Sequence, residues 1–163
     1  MNTFIHESSV IYDNVTIEDG VYIGANCIIG APAESKGYWG SKPKYGVIIK
    51  SGTIINGACT IDAGTVNDTV IGHNCFIMKQ THIGHDVILK DGVTMSPHST
   101  VGGHCVIEED TNLGMSCTIH QRVIVPPKCM IGMGAVVTKK TKMYKNAVMI
   151  GSPAYFLRWN NRK

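Results

Sequence analysis

A chain of 163 residues fits one domain with a sizeable core, and 44% apolar with 17% charged residues is ordinary for a globular protein, which excludes disorder as the starting reading. The first ten residues lack a basic start followed by an apolar run, and nowhere do 18 apolar residues run together, so neither export nor stable membrane insertion is expected and the cytoplasm is the default location. The formal charge of +3 is unevenly spread: all 12 acids precede Thr111, whereas residues 111–163 carry 9 basic residues and no acid, a stretch that attracts anions such as phosphates, although its sparse charges imply no nucleic acid.

In chain order, aliphatic residues first recur every six positions at Ile5, Ile11, Ile17, Ile23 and Ile29. The next in register is Ile49, so residues 31–46 form an insertion loop carrying Glu34, Lys36, Tyr38, Trp39, Lys42 and Lys44. Hexads resume at Ile49, Ile55 and Ile61, and four extra residues, near Asn67 and Asp68, precede Ile71. From there the register runs unbroken through Ile77, Ile83, Leu89, Met95, Val101, Ile107, Leu113, Ile119, Val125 and Ile131 to Val137. Residues 143–163 remain as a short basic tail, suited to cap the open end of a repeat array, with a helix as one option for it. The expected domain is thus 1–163, with coils over 1–30 and 47–142.

A period of six is even, so the aliphatic and the small residue four positions later share one face of a strand. Three short strands per turn then give an all-β, parallel β-helix whose stacked coils bury a column of aliphatics along the axis. Cys27, Cys59, Cys75, Cys105, Cys117 and Cys129 all occupy the small inward position. They are read as buried thiols rather than disulfides or metal ligands, because no C-x-x-C pair is present.

With three hexads per turn, residues eighteen apart stack. His85, Gly103 and Gln121 form one column, Asp86, His104 and Arg122 the next, and His120 shares that corner. The long loop leaves the same corner two coils, about 10 Å, below His85. A neutral imidazole there can take a proton from an attacking hydroxyl or amine, and a backbone N–H one coil away can hold an oxyanion, which together suit acyl transfer. Corner polar residues without such company, His6, His73 and His98, are read as solvated.

The run Thr81-His82-Ile83-Gly84-His85-Asp86, with Val101-Gly102-Gly103-His104 and Ile119-His120-Gln121, resembles the core of the UDP-N-acetylglucosamine O-acyltransferases. The resemblance implies left-handed winding, a homotrimer with active sites between subunits, His85 as base supported by Asp86, and Gly103 as oxyanion donor. It also implies a substrate cleft lined by His82, His104, His120 and Gln121, with Glu34 and Lys36 of the loop. The chain end differs from that family, which carries a helical domain after its coils. Instead, Ile131-Gly132-Met133-Gly134-Ala135-Val136-Val137-Thr138 and Ile150-Gly151-Ser152-Pro153-Ala154 resemble bacterial sugar acetyltransferases. That likeness implies acetyl-CoA as co-substrate, with Gly103, Met133, Lys139 and Lys140 toward the cofactor, and a sugar or nucleotide sugar as acceptor. Long-chain acyl transfer from acyl carrier protein is the alternative, and a non-catalytic β-helix the second. No metal is expected, because the zinc carbonic anhydrases of this fold pair histidines five residues apart and no such pair occurs here.

Overall fold

The computed structural model describes residues 2–38 and 40–161, so the loop residue Trp39 and the terminal Arg162 and Lys163 lie outside the described residues. The chain winds as a left-handed parallel β-helix whose strands stack into three sheets of nine, seven and six strands, here the first, second and third faces. Stacking follows the hexad register: Phe76–Ile77 pairs with Thr94–Met95 on the first face, His82–Ile83 with Thr100–Val101 on the second, and Ile88–Leu89 with Val106–Ile107 on the third. The inward aliphatics from Ile23 to Ile131 are essentially inaccessible, as are all six cysteines. Each buried aliphatic contributes roughly 1.5–3 kcal/mol, and the neighbouring coils supply the apolar walls that a single coil lacks.

Corners follow from backbone conformation. The third corner residue repeatedly takes the left-handed region, as at Asn26, Asn74, Asp86, His104, Arg122 and Lys128, which turns the chain sharply from one face to the next. Glycine holds the same place at Gly20, Gly52 and Gly134, where its missing Cβ removes the penalty. Parallel stacking then pairs corner backbone groups between coils, for example His104 N–H to His85 O at 2.9 Å and Arg122 N–H to Gly103 O at 2.9 Å.

Both interruptions leave the same corner, between the second and third faces. The strand Ile28–Ala31 pairs with Thr60–Asp62, which pairs with His82–Ile83. The long loop, the four-residue insertion and His85 therefore share one edge on successive coils. Asp68 Oδ1 accepts from Gly46 N–H at 2.7 Å, tying the insertion to the end of the long loop.

Among the described residues the tail contains no helix, contrary to that option. Ala147–Ile150 continues the first face in parallel, and Tyr155–Trp159 folds back on it as an antiparallel strand. The turn between them lies on the last coil, through Val136 N–H to Gly151 O at 2.9 Å and Ala154 N–H to Val136 O at 2.8 Å. The ladder of the helix leaves an open edge there, and a strand satisfies its backbone groups where a helix could not. Among the described residues no helix is long and apolar enough to cross a membrane.

Candidate active site

The centre of the edge is His85. Its Nδ1 lies 2.7 Å from Asp86 Oδ2. The Asp86 carboxylate is enclosed by the insertion: Oδ1 accepts from the N–H groups of Thr65, Val66 and Asn67 at 3.0, 2.8 and 2.8 Å, and Oδ2 from the Thr65 hydroxyl at 2.7 Å. Burial alone would raise the Asp86 pKa, but the bonds from His85, Val66, Asn67 and Thr65 outweigh it and hold the carboxyl well below the usual carboxylate range. An ionised carboxylate only accepts, so the neutral imidazole of His85 has its proton on Nδ1 and its lone pair on Nε2.

Gly103 lies one coil above, buried against the imidazole. A Cβ there would stand 2.7 Å from His85 Nε2, so a side chain at 103 would displace the ring. The N–H of Gly103 has no hydrogen-bond partner among the described residues. His104 packs edge-on to His85 with ring centroids 4.8 Å apart, and its Nδ1 is 3.7 Å from the same Asp86 oxygen. Burial lowers the His104 pKa, with Arg122 and His85 adding to the effect against the pull of Asp86, so the ring favours its neutral form. The donor atoms of His85, Asp86 and His104 lie within 4.8 Å of one another, a spacing that could hold a cation. The Asp86 oxygens are already taken by the insertion and His85, however, which leaves no free carboxylate ligand for one.

The other expected residues lie at varying distances from this centre. His82 lies on the second face, its Nδ1 2.8 Å from Thr60 Oγ1. With Glu34 it lines a cavity of about 470 Å³ that also involves Tyr12, Ile28, Pro32 and Asp62. His120 and Gln121 are exposed on the edge two coils above His85. Lys139 extends the column of His85, Gly103 and Gln121 by one coil, and Lys140 that of Asp86 and His104. Two residues are not brought in. Lys36 is exposed on the loop and lines neither of its cavities, and Met133 projects from the corner on the far side of the strand Val136–Val137. His6 and His98 stand on that same far corner and His73 on the third.

Sequence reasoning missed Asp62 and the Thr65-Val66-Asn67 cradle. The four extra residues before Ile71 were the available signal for the cradle. Asp62 follows Ile61, which pairs with Ile83, and so lies opposite Gly84.

The imidazole held by an enclosed carboxylate thus sits on a β-helix built of hexads. Bacterial transferase hexapeptide repeats match residues 2–34 and 68–103, and the hexapeptide repeat of succinyl-transferase matches 105–139; the chain belongs to the hexapeptide-repeat superfamily. It is 35% identical over 88 residues to a UDP-3-O-acylglucosamine N-acyltransferase of Idiomarina loihiensis, covering 53% of this chain and 25% of that protein. To an acyl-[acyl-carrier-protein]--UDP-N-acetylglucosamine O-acyltransferase of Campylobacter concisus it is 30% identical over 112 residues, covering 60% of this chain and 43% of that one. The chain thus spans less than half the length of these relatives. A UDP-N-acetylglucosamine acyltransferase structure from Bacteroides fragilis shares the fold with a TM-score of 0.89 at 22% identity, over 98% of this chain and 62% of that chain. A perosamine N-acetyltransferase from Caulobacter crescentus, solved with CoA and GDP-perosamine, shares it with a TM-score of 0.50 at 20% identity, over 97% and 57%.

Proposed function

We propose that this chain transfers an acyl group from a thioester to a hydroxyl or amine of a nucleotide-linked sugar, with His85 as general base. The observation that carries the reading is the 2.7 Å contact of His85 Nδ1 with the enclosed Asp86 carboxylate, which leaves Nε2 as the proton acceptor. The acceptor group gives its proton to Nε2 as its oxygen or nitrogen bonds to the thioester carbon. The unpartnered Gly103 N–H stabilises the oxyanion, the C–S bond breaks, and the thiolate leaves with the proton held by His85. His82, His104, His120, Gln121 and Glu34 contribute to the acceptor cleft.

The acyl carrier protein thioester named for the Campylobacter concisus relative is the favoured donor. Acetyl-CoA is the second reading, supported by Lys139 and Lys140 at the top of the His85 column, three coils or roughly 14 Å away, where phosphates of a pantetheine-linked donor would meet them. The assembly is proposed to be a homotrimer in the cytoplasm. The third face presents outward Ile48, Val70, Ile88, Val106 and Ile124 in register, an apolar strip suited to a neighbouring copy. Turnover assays pairing UDP-N-acetylglucosamine with acetyl-CoA and with acyl carrier proteins of graded chain length test the proposal. Product with either donor, lost in His85→Ala, supports it; no product with any pair overturns it.

A further inference from the structure

The cavity below His85 has a composition that a neutral sugar does not require. Its walls are mainly apolar, from Tyr12, Ile28, Ala31 and Pro32, while Asp62 and Glu34 supply two carboxylates and, among the described residues, no lysine or arginine lines it. The Asp62 side chain is only 8% exposed, and its nearest cationic candidate, His82 Nε2, is 4.0 Å away, beyond hydrogen-bond reach. The backbone N–H of Glu34 favours the charged form of Asp62, but among the described residues no hydrogen bond of ordinary geometry reaches the carboxylate, which leaves most of its acceptor capacity unfilled. Burial raises the Asp62 pKa, as follows for an anion removed from water without a full set of donors. The register sets Asp62 opposite Gly84, next to His85 and one coil below it, so a group held by Asp62 is within one sugar ring of the base.

We propose that Asp62 makes this cavity selective for a sugar carrying a free amino group, and that Asp62 is the specificity-determining residue for the acceptor. An ammonium or amine donates several hydrogens to the waiting carboxylate and, when charged, supplies the missing positive charge; a hydroxyl offers one hydrogen and no charge. Where that group is the one acylated it reacts as the neutral amine, giving one proton to His85 as the N–C bond forms and the thioester C–S bond breaks, and His85 passes that proton to the leaving thiolate. The basic cleft across the loop base, lined by Lys42, Lys44, Ser41 and Thr65 and sharing Pro32 with the acidic cavity, is placed for the phosphates of the same ligand. This inference rests on the acyltransfer reading for its chemistry but not for its binding.

The test uses two UDP-linked hexoses that differ only in an amine or a hydroxyl at one ring carbon, with the parent chain and Asp62→Asn, a near-isosteric change. Calorimetric titration of each sugar measures binding, and turnover with the active donor measures kcat/KM. The parent is expected to favour the amine by about tenfold or more in affinity, and Asp62→Asn to bring that ratio close to one. If discrimination appears in binding without turnover of either sugar, the inference stands and the acyltransfer reading falls. If the parent binds both equally, binds neither, or keeps its preference in Asp62→Asn, the inference is overturned, whatever turnover is found. Circular dichroism that matches the parent, with Asp62→Ala as a second variant, guards against misfolding as the cause of a lost ratio.

Discussion

Thr65 donates both its backbone N–H, at 3.0 Å, and its hydroxyl, at 2.7 Å, to the carboxylate of Asp86, although the two residues sit on different coils and 21 positions apart. The four-residue interruption of the hexads is therefore the device that fixes the acid behind His85. Thr65→Val removes one charge-assisted bond of about 1.5–3 kcal/mol, which corresponds to a kcat loss of roughly ten- to a hundredfold if the whole term acts on the base. Thr65→Ser is expected to retain activity. Equal kcat for the Val and Ser variants would show that the hydroxyl does not position the dyad.

Removing the imidazole tests the base itself. His85→Ala should lose at least about a hundredfold in turnover with an unchanged circular dichroism spectrum and oligomeric state. An active variant would end the assignment of His85.

Gly103 offers a test of packing against chemistry. Because an added Cβ would approach His85 Nε2 at 2.7 Å, Gly103→Ala should push the ring off Asp86 while leaving the coil intact. Activity should fall by about tenfold or more with little loss of thermal stability, since a shift of about 1 Å at a reacting group has large kinetic effects. A fully active Gly103→Ala would mean that the ring does not occupy this place in the working enzyme.

The Asp86 carboxyl also sets a pH dependence of stability. Its folded pKa lies below the ordinary value near 3.9, so its contribution is complete above that value and is lost as pH falls toward the folded pKa. Urea unfolding at a series of pH values below about 4 should therefore show the parent losing stability with acid, and Asp86→Asn, already weaker at pH 7, losing less. Parallel acid profiles for the two proteins would contradict a depressed Asp86.

Cys75, Cys105, Cys117 and Cys129 should be chemically silent. Burial pushes the thiol of Cys75 up to about 11 and that of Cys117 up to about 12, and it raises Cys105 and Cys129 as well. Any single Cys→Ala should cost only about 1 kcal/mol, and added reductant should leave activity unchanged. Cys105→Arg, which would bury an unpaired charge, should abolish soluble protein. Loss of activity on reduction would point to a disulfide that the packing does not provide.

The hexad period is legible in the residues alone, and with it most of the architecture. Alternation within a strand and a period of six leave one way to bury Ile77, Met95, Leu113 and Ile131 together with the cysteines, and parallel stacking of those columns then places His85 beneath Gly103. Wherever the register was unbroken, counting by eighteen was enough to locate a residue. It failed where the repeat was interrupted, because an insertion has no period from which to read its path. Three features lie outside the reach of the repeat: the Thr65-Val66-Asn67 backbone closes over Asp86, Asp62 faces a cavity with Glu34, and the tail extends the first face as a strand. Each of these depends on which backbone and carboxylate groups would otherwise be left unsatisfied, and that is settled by neighbours distant in the chain rather than by local sequence.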